Sequence, residues 1–128
     1  MPADRSSTGQ LGEDAAAGYL SRRGCEIITR NWRANPGEVD IIAECTQRAG
    51  GEKTLAFIEV RTRHGERGTA EESISPRKAA NMTSAAYAYM AAHGLDPETT
   101  PWRIDLVAIA MRGPNIVAID WIQNALEG

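Results

Sequence analysis

Two short apolar segments constrain this chain more than any other feature: Val39-Asp-Ile-Ile-Ala-Glu-Cys45 and Thr54-Leu-Ala-Phe-Ile-Glu-Val-Arg-Thr62. Both are rich in strand-forming residues, and the polar stretch 46–53 between them, with Gly50-Gly51, reads as a hairpin connection. If that connection closes symmetrically, Cys45 faces Thr54, Ile42 faces Phe57, Asp40 faces Glu59 and Glu38 faces Arg61. One side of the hairpin then carries Val39, Ile41 and Ala43 against Ala56, Ile58 and Val60, all apolar. The other side is apolar at its middle and ends in three carboxylates and one guanidinium. Both faces are thus mostly buried near the middle of the hairpin.

The remaining segments supply helices and further strands. A helix is expected from Ser7 or Thr8, with Leu11, Ala15, Ala16, Tyr19 and Leu20 at helical spacing and Gly24 as its stop. Residues 1–8 read as a flexible start, and 9–128 as a single domain. The segment from Cys25 to Arg33 reads as a strand, followed by the turn residues Asn35-Pro-Gly. After a charged loop over 63–72, Ser75-Pro76 marks a second helix with Ala79, Met82, Ala86, Tyr89 and Met90 as its stripe. Strands are expected over 102–110 and 116–122. The predicted order is α-β-β-β-α-β-β, an α/β chain.

The acidic end of the hairpin is where chemistry is expected. Directly opposed side chains in an antiparallel pair lie about 4.5–5.5 Å apart, and like charges there repel. Adjacent, partly buried carboxylates must share a proton, bind a cation or be neutralised by a base. Two readings stay open at this point. In one, Asp40 and Glu59 hold a divalent cation, since Mg²⁺ takes one or two carboxylates plus waters and phosphate oxygens. In the plainer one, Arg61 neutralises Glu38, Asp40 or Glu59 in a salt-bridged strand end.

Charge and cysteine content narrow the partners. With 17 Asp+Glu against 14 Lys+Arg the net charge is −3, which excludes a generally basic coat protein but not a local basic patch. Only Lys53 and Lys78 are lysines; the other 12 basic residues are arginines. Arg22, Arg23, Arg30 and Arg33 form one basic group, and Arg61, Arg63 and Arg67 another beside the acidic strand end. Either group could contact phosphates or form ordinary ion pairs on a solvated face. Lys78 reads as a solvated first-turn residue, Asp105 with Arg103 as an internal ion pair, and Trp32, Trp102 and Trp121 as packing anchors. Cys25 and Cys45 lie far apart without a metal-binding spacing, and read as separate core thiols in a reducing cytosol. No apolar run approaches a membrane span, so a soluble, cytoplasmic protein is expected.

The motifs Gly37-Glu-Val-Asp40-Ile-Ile-Ala and Phe57-Ile-Glu59-Val-Arg61-Thr-Arg63 resemble the signature of the YraN family of small bacterial proteins. Gly12-Glu13, Arg30-Asn31-Trp32-Arg33 and Arg103-Ile-Asp105-Leu-Val match the same pattern, in order, over about residues 9–122. That family is similar to the restriction-endonuclease-like, or PD-(D/E)xK, nucleases and within them to archaeal Holliday-junction resolvases, which implies an α/β fold with a central mixed five-stranded sheet flanked by helices. The resemblance implies Asp40 as the metal-binding Asp, Glu59 as the acid of the ExK motif, and Glu13 as the helix carboxylate completing a Mg²⁺ or Mn²⁺ site. It implies binding of nucleic acid, DNA in particular, through Arg30, Arg33, Arg63 and Arg67, with hydrolysis of branched or structured substrates. Resolvase-like action on two strands would also imply a homodimer.

One position departs from that pattern. Arg61 stands where the pattern has Lys; an arginine can counter charge but cannot act as a base, and Lys78, at the start of the second helix, is the alternative source of a lysine. The alternatives are therefore a catalytically silent nucleic-acid-binding or adaptor module on the same scaffold, or a plain protein-interaction domain.

Overall fold

In a computed structural model of the protein, residues 3–46, 51–64 and 74–126 are described. The first helix, α1 (Ala3–Ser21), opens ahead of the Ser7 or Thr8 start expected. Gly24 follows at φ +96, a conformation L side chains avoid, and turns the chain into β1 (Cys25–Ala34). Strands β2 (Gly37–Thr46) and β3 (Lys53–His64) come next. The Ser75 hydroxyl accepts from the Lys78 amide at 3.2 Å and Pro76 occupies the first turn, so α2 (Pro76–Ala92) starts where its cap predicts. Gly94, at φ +69, ends it. Strands β4 (Trp102–Arg112) and β5 (Asn115–Ile122) complete the order α-β-β-β-α-β-β.

The five strands form one mixed sheet in the order β1-β2-β3-β4-β5. All neighbours are antiparallel except β3 and β4, which run parallel and are joined through α2. The β2–β3 register is the expected one, with Cys45 opposite Thr54 and Ile42 opposite Phe57.

Each face of the sheet has its own core. On one, Ala16 and Leu20 of α1 pack with Ile41, Ala43, Ala56, Ile58, Val107 and Ile109. On the other, Met82, Ala85, Ala86, Tyr89 and Met90 of α2 pack with Ile42, Leu55, Phe57 and Ile104. All three tryptophans are anchors at the edges of these cores, Trp32 edge-on to Tyr89 at 5.5 Å and Trp102 edge-on to Phe57 at 6.0 Å. Each fully buried large apolar side chain contributes roughly 1.5–3 kcal/mol, so the two layers carry most of the stability.

Three expectations are corrected here. Val39 packs in the α2 layer with Ile42, not with Ile41 and Ala43. The change of face falls beside Asn31, whose φ of 55 interrupts β1 between Arg30, opposite Ile41, and Trp32, opposite Val39. The cysteines are not separate thiols: Cys25 faces Cys45 across β1 and β2, with Cα atoms 3.9 Å apart, and the two form a disulfide. That pairing depends on the β1–β2 register, which cysteine spacing alone does not reveal. His64 belongs to β3 rather than to a loop.

Candidate metal centre

The acidic residues meet where β2 and β3 stop pairing. The ladder between them ends at Ile41 opposite Ile58, so Asp40 is not the cross-strand partner of Glu59. Instead Asp40 Oδ2 accepts the Val60 amide at 2.8 Å, a side chain taking the place of a backbone carbonyl. Burial is the main cause that pushes the Asp40 carboxyl from its ordinary 3.8 up to about 7. The Val60 hydrogen bond opposes the rise, and the charges of Glu59, Glu13 and Glu38 add to it.

Glu38 is likewise not opposite Arg61. It pairs with Arg33 on β1, their side chains 3.8 Å apart at an exposed position. Glu13 projects from α1 toward β1, where its Oε1 accepts from Arg30 Nη2 at 3.0 Å, Arg30 Nε at 3.2 Å and Asn31 Nδ2 at 3.1 Å. Arg30 also reaches Asp14 at 2.7 Å and holds that carboxyl below its ordinary range. Arg30 is therefore a brace between α1 and β1.

Glycines set how closely the helices approach this place. A Cβ on Gly12 would run into the Thr62 hydroxyl of β3, and one on Gly37 into the Asn81 carbonyl of α2. Both motifs thus owe their glycine to packing, Gly12 seating Glu13 over β3 and Gly37 seating β2 under α2.

Glu59 lies on the same strand face as Phe57, toward α2, and its Oε1 is 3.4 Å from Lys78 Nζ. Lys78 is thus a member of the site, not a solvated first-turn residue. The signal was present in the sequence. Lys78 stands four residues before Met82 and continues the buried stripe Met82–Ala85–Tyr89 one turn toward the helix start. Arg61 and Arg63 follow on β3, opposite Ala108 and Ala110, and both are engaged in interactions. Arg67 lies outside the described residues.

The donor set suits a hard divalent cation only in part. Asp40 and Glu59 offer carboxylate oxygens, the donor type that Mg²⁺ and Mn²⁺ take; burial raises the Asp40 carboxyl, and Lys78 pairs with Glu59. One oxygen of Glu13, Oε1, is taken by Arg30 and Asn31. Among the described residues no three of His, Cys, Asp and Glu are gathered as one ion would need.

Away from this site, Arg103 and Asp105 form the expected internal ion pair. Asp105 is fully buried and accepts from Arg103 Nε, Trp121 Nε1 and the Asn124 amide at 2.9–3.0 Å. Among the described residues no helix is long and apolar enough to cross a membrane.

Comparison with known proteins agrees over nearly the whole chain. A protein from Chloroflexus aurantiacus is 44% identical over 126 residues, covering 98% of each chain. One from Roseiflexus castenholzii is 47% identical over 130 residues, covering 99% of this chain and 98% of its own. A third, from Dehalococcoides mccartyi, is 40% identical over 127 residues and 98% of each chain. All three are described as UPF0102 proteins, and the profile of that family matches residues 12–109, from the Gly12-Glu13 motif into β4. The chain therefore belongs to the uncharacterised protein family UPF0102.

Proposed function

We propose that this is a cytoplasmic nucleic-acid-binding protein of the restriction-endonuclease-like kind, acting on branched or structured DNA with Mg²⁺ or Mn²⁺. The observation that carries the reading is Asp40: a half-buried carboxylate raised by burial and by the charges of Glu59, Glu13 and Glu38, just past the last paired residues of β2 and β3. Asp40 and Glu59 would hold the ion, and Glu13, fixed by Arg30, would add to the field that attracts it. When bound, such an ion supplies an activated water and offsets charge on the phosphate. Arg61 would counter charge on that phosphate, while Arg33, Arg63 and Arg67 would position the backbone without reading sequence.

The test is cleavage of branched DNA in Mn²⁺ by the parent and by Asp40→Asn. Metal-dependent cleavage that Asp40→Asn abolishes, with binding largely kept, supports the assignment. Unchanged cleavage in the variant would sink it.

A second reading is a catalytically silent nucleic-acid-binding module. It is favoured by Arg61 in the lysine position and by the Glu59–Lys78 ion pair, which already neutralises one carboxylate. Calorimetric titration with Mn²⁺ separates the two, because a silent module gives no site-specific heat for Glu59→Gln to remove.

A further inference from the structure

The ion pair of β4 leaves one of its donors over. Asp105 receives Arg103 Nε on both oxygens at 3.0 Å, Trp121 Nε1 at 2.9 Å and the Asn124 amide at 3.0 Å. Those bonds fill the acceptor sites of a carboxylate, so Asp105 has nothing further to offer the guanidinium. The Arg103 side chain is 7% exposed, and its Nη2 is buried with no hydrogen-bond partner among the described residues. The Trp121 ring, 5.9 Å from Arg103 Cζ, presents a π face and no lone pair. A buried donor left in this way is costly, and native folds rarely keep one. Arg103 is also part of the wall of an open cleft of about 320 Å³, lined among the described residues by Trp102, Arg103, Ile104, Asn124 and Leu126. The cleft forms because β5 stops at Ile122, opposite Leu106, while β4 reaches back to Trp102. The segment after β5 returns to β4 through the Ala125 amide, which donates to the Ile104 carbonyl at 2.8 Å. Edge-on ring contacts with Phe57 at 6.0 Å and Tyr87 at 5.5 Å hold the Trp102 indole in place as one wall.

We propose that this cleft is a binding site for a small neutral molecule with a flat apolar body and a carbonyl oxygen, a carboxamide or a lactam. The body lies against Trp102, Ile104 and Leu126, and the oxygen accepts from Arg103 Nη2. Neutrality follows from the charges at hand. Arg103 and Asp105 already cancel, so a carboxylate would bring a buried charge without a partner of its own. A carbonyl supplies the missing acceptor and adds no charge. Leu126, 43% exposed on the segment after β5, is the wall that yields as the oxygen reaches the buried nitrogen. Trp102 lies opposite Leu55 at the start of β3, four residues before Glu59, so the cleft is separate from the acidic strand end and does not rest on the function proposed above.

Benzamide and benzoate, alike in shape and unlike in charge, are the probes. Each is titrated into the intact protein while the backbone amide resonances of Trp102, Ile104 and Asn124 are followed by NMR. Benzamide should bind with a Kd of about 1 mM, and benzoate about tenfold more weakly. Arg103→Met with Asp105→Leu removes the donor without stranding a charge, and should weaken benzamide at least about fivefold. Leu126→Trp, at an exposed position, fills the cleft with Arg103 untouched and should abolish the shifts. Benzamide that leaves those resonances unmoved, binds Leu126→Trp as well as the parent, or is indifferent to the loss of Arg103 overturns the site. Benzoate binding as tightly as benzamide overturns its neutral character. None of these measurements involves Asp40, Glu59 or a metal ion, so they leave the nuclease reading to its own test.

Discussion

The Val60 amide donates to Asp40 Oδ2 at 2.8 Å just past Ile41 and Ile58, the last paired residues of β2 and β3. A charged side chain thus occupies a place in the sheet that backbone normally fills. Burial, against the pull of that hydrogen bond, gives a carboxyl that titrates near 7 in the folded protein and near 3.8 in the unfolded chain. Between those values the native state keeps a proton that the unfolded chain has lost. Stability from this group is therefore present below about pH 4 and is lost as pH rises toward and through 7. Asn can accept the same amide and carries no charge. Asp40→Asn is expected to match the parent near pH 4 and to exceed it by about 1–3 kcal/mol at pH 8. Urea unfolding at the two pH values measures this, and an equal difference at both would refute it.

The close approach of the helices predicts a contrast between two glycines. In Gly12→Ala the new methyl meets the Thr62 hydroxyl, the end of a short side chain. In Gly37→Ala it meets the Asn81 carbonyl, which is backbone within α2. Each variant should lose about 1–3 kcal/mol, the usual cost of overpacking. Only the first should be rescued: adding Thr62→Ala removes the obstructing atom, and most of the loss should return. No side-chain change at Asn81 should rescue Gly37→Ala. Thermal unfolding of the two single and two double variants decides it.

Asp105 predicts the largest stability effect. It is fully buried and is the acceptor for Arg103, Trp121 and the Asn124 amide, so it ties β4 to β5 and to the segment after it. Asp105→Ala strands a buried guanidinium and should cost about 3–5 kcal/mol. Replacing the pair together, as Arg103→Met with Asp105→Leu, should cost clearly less, because no unpaired charge remains. A double variant as unstable as the single one would show that the pair does more than neutralise itself.

The sequence made the scaffold readable because its strongest patterns are local. Ser75-Pro76 marked the start of α2, and the apolar runs 39–45 and 54–62 defined the central hairpin with its register. What it concealed were relationships between elements. The Cys25–Cys45 bond depends on β1 lying against β2, and the grip of Arg30 on Glu13 on where α1 crosses the sheet. A regular ladder would set Asp40 opposite Glu59; the left-handed Asn31 and the side-chain bond to Val60 end that regularity. Lys78 is the instructive miss. Its charge argued for solvent, while its spacing from Met82 argued for the sheet, and the spacing prevailed.

Arg61 carries the last prediction. It stands two residues after Glu59 on β3, so both side chains leave the same face of the strand. A guanidinium can offset charge on a phosphate but does not serve as a general base. A lysine there can do both. If the acidic site binds an ion and the missing lysine limits turnover, Arg61→Lys should raise the single-turnover cleavage rate on a four-way junction at least about tenfold. Affinity for the junction, and its dependence on salt, should stay nearly constant, since one cation replaces another. That split between rate and binding distinguishes restored chemistry from better docking. A variant that binds as before and cleaves no junction or flap faster than the parent would show that Arg61 is not the obstacle, and would favour the silent module.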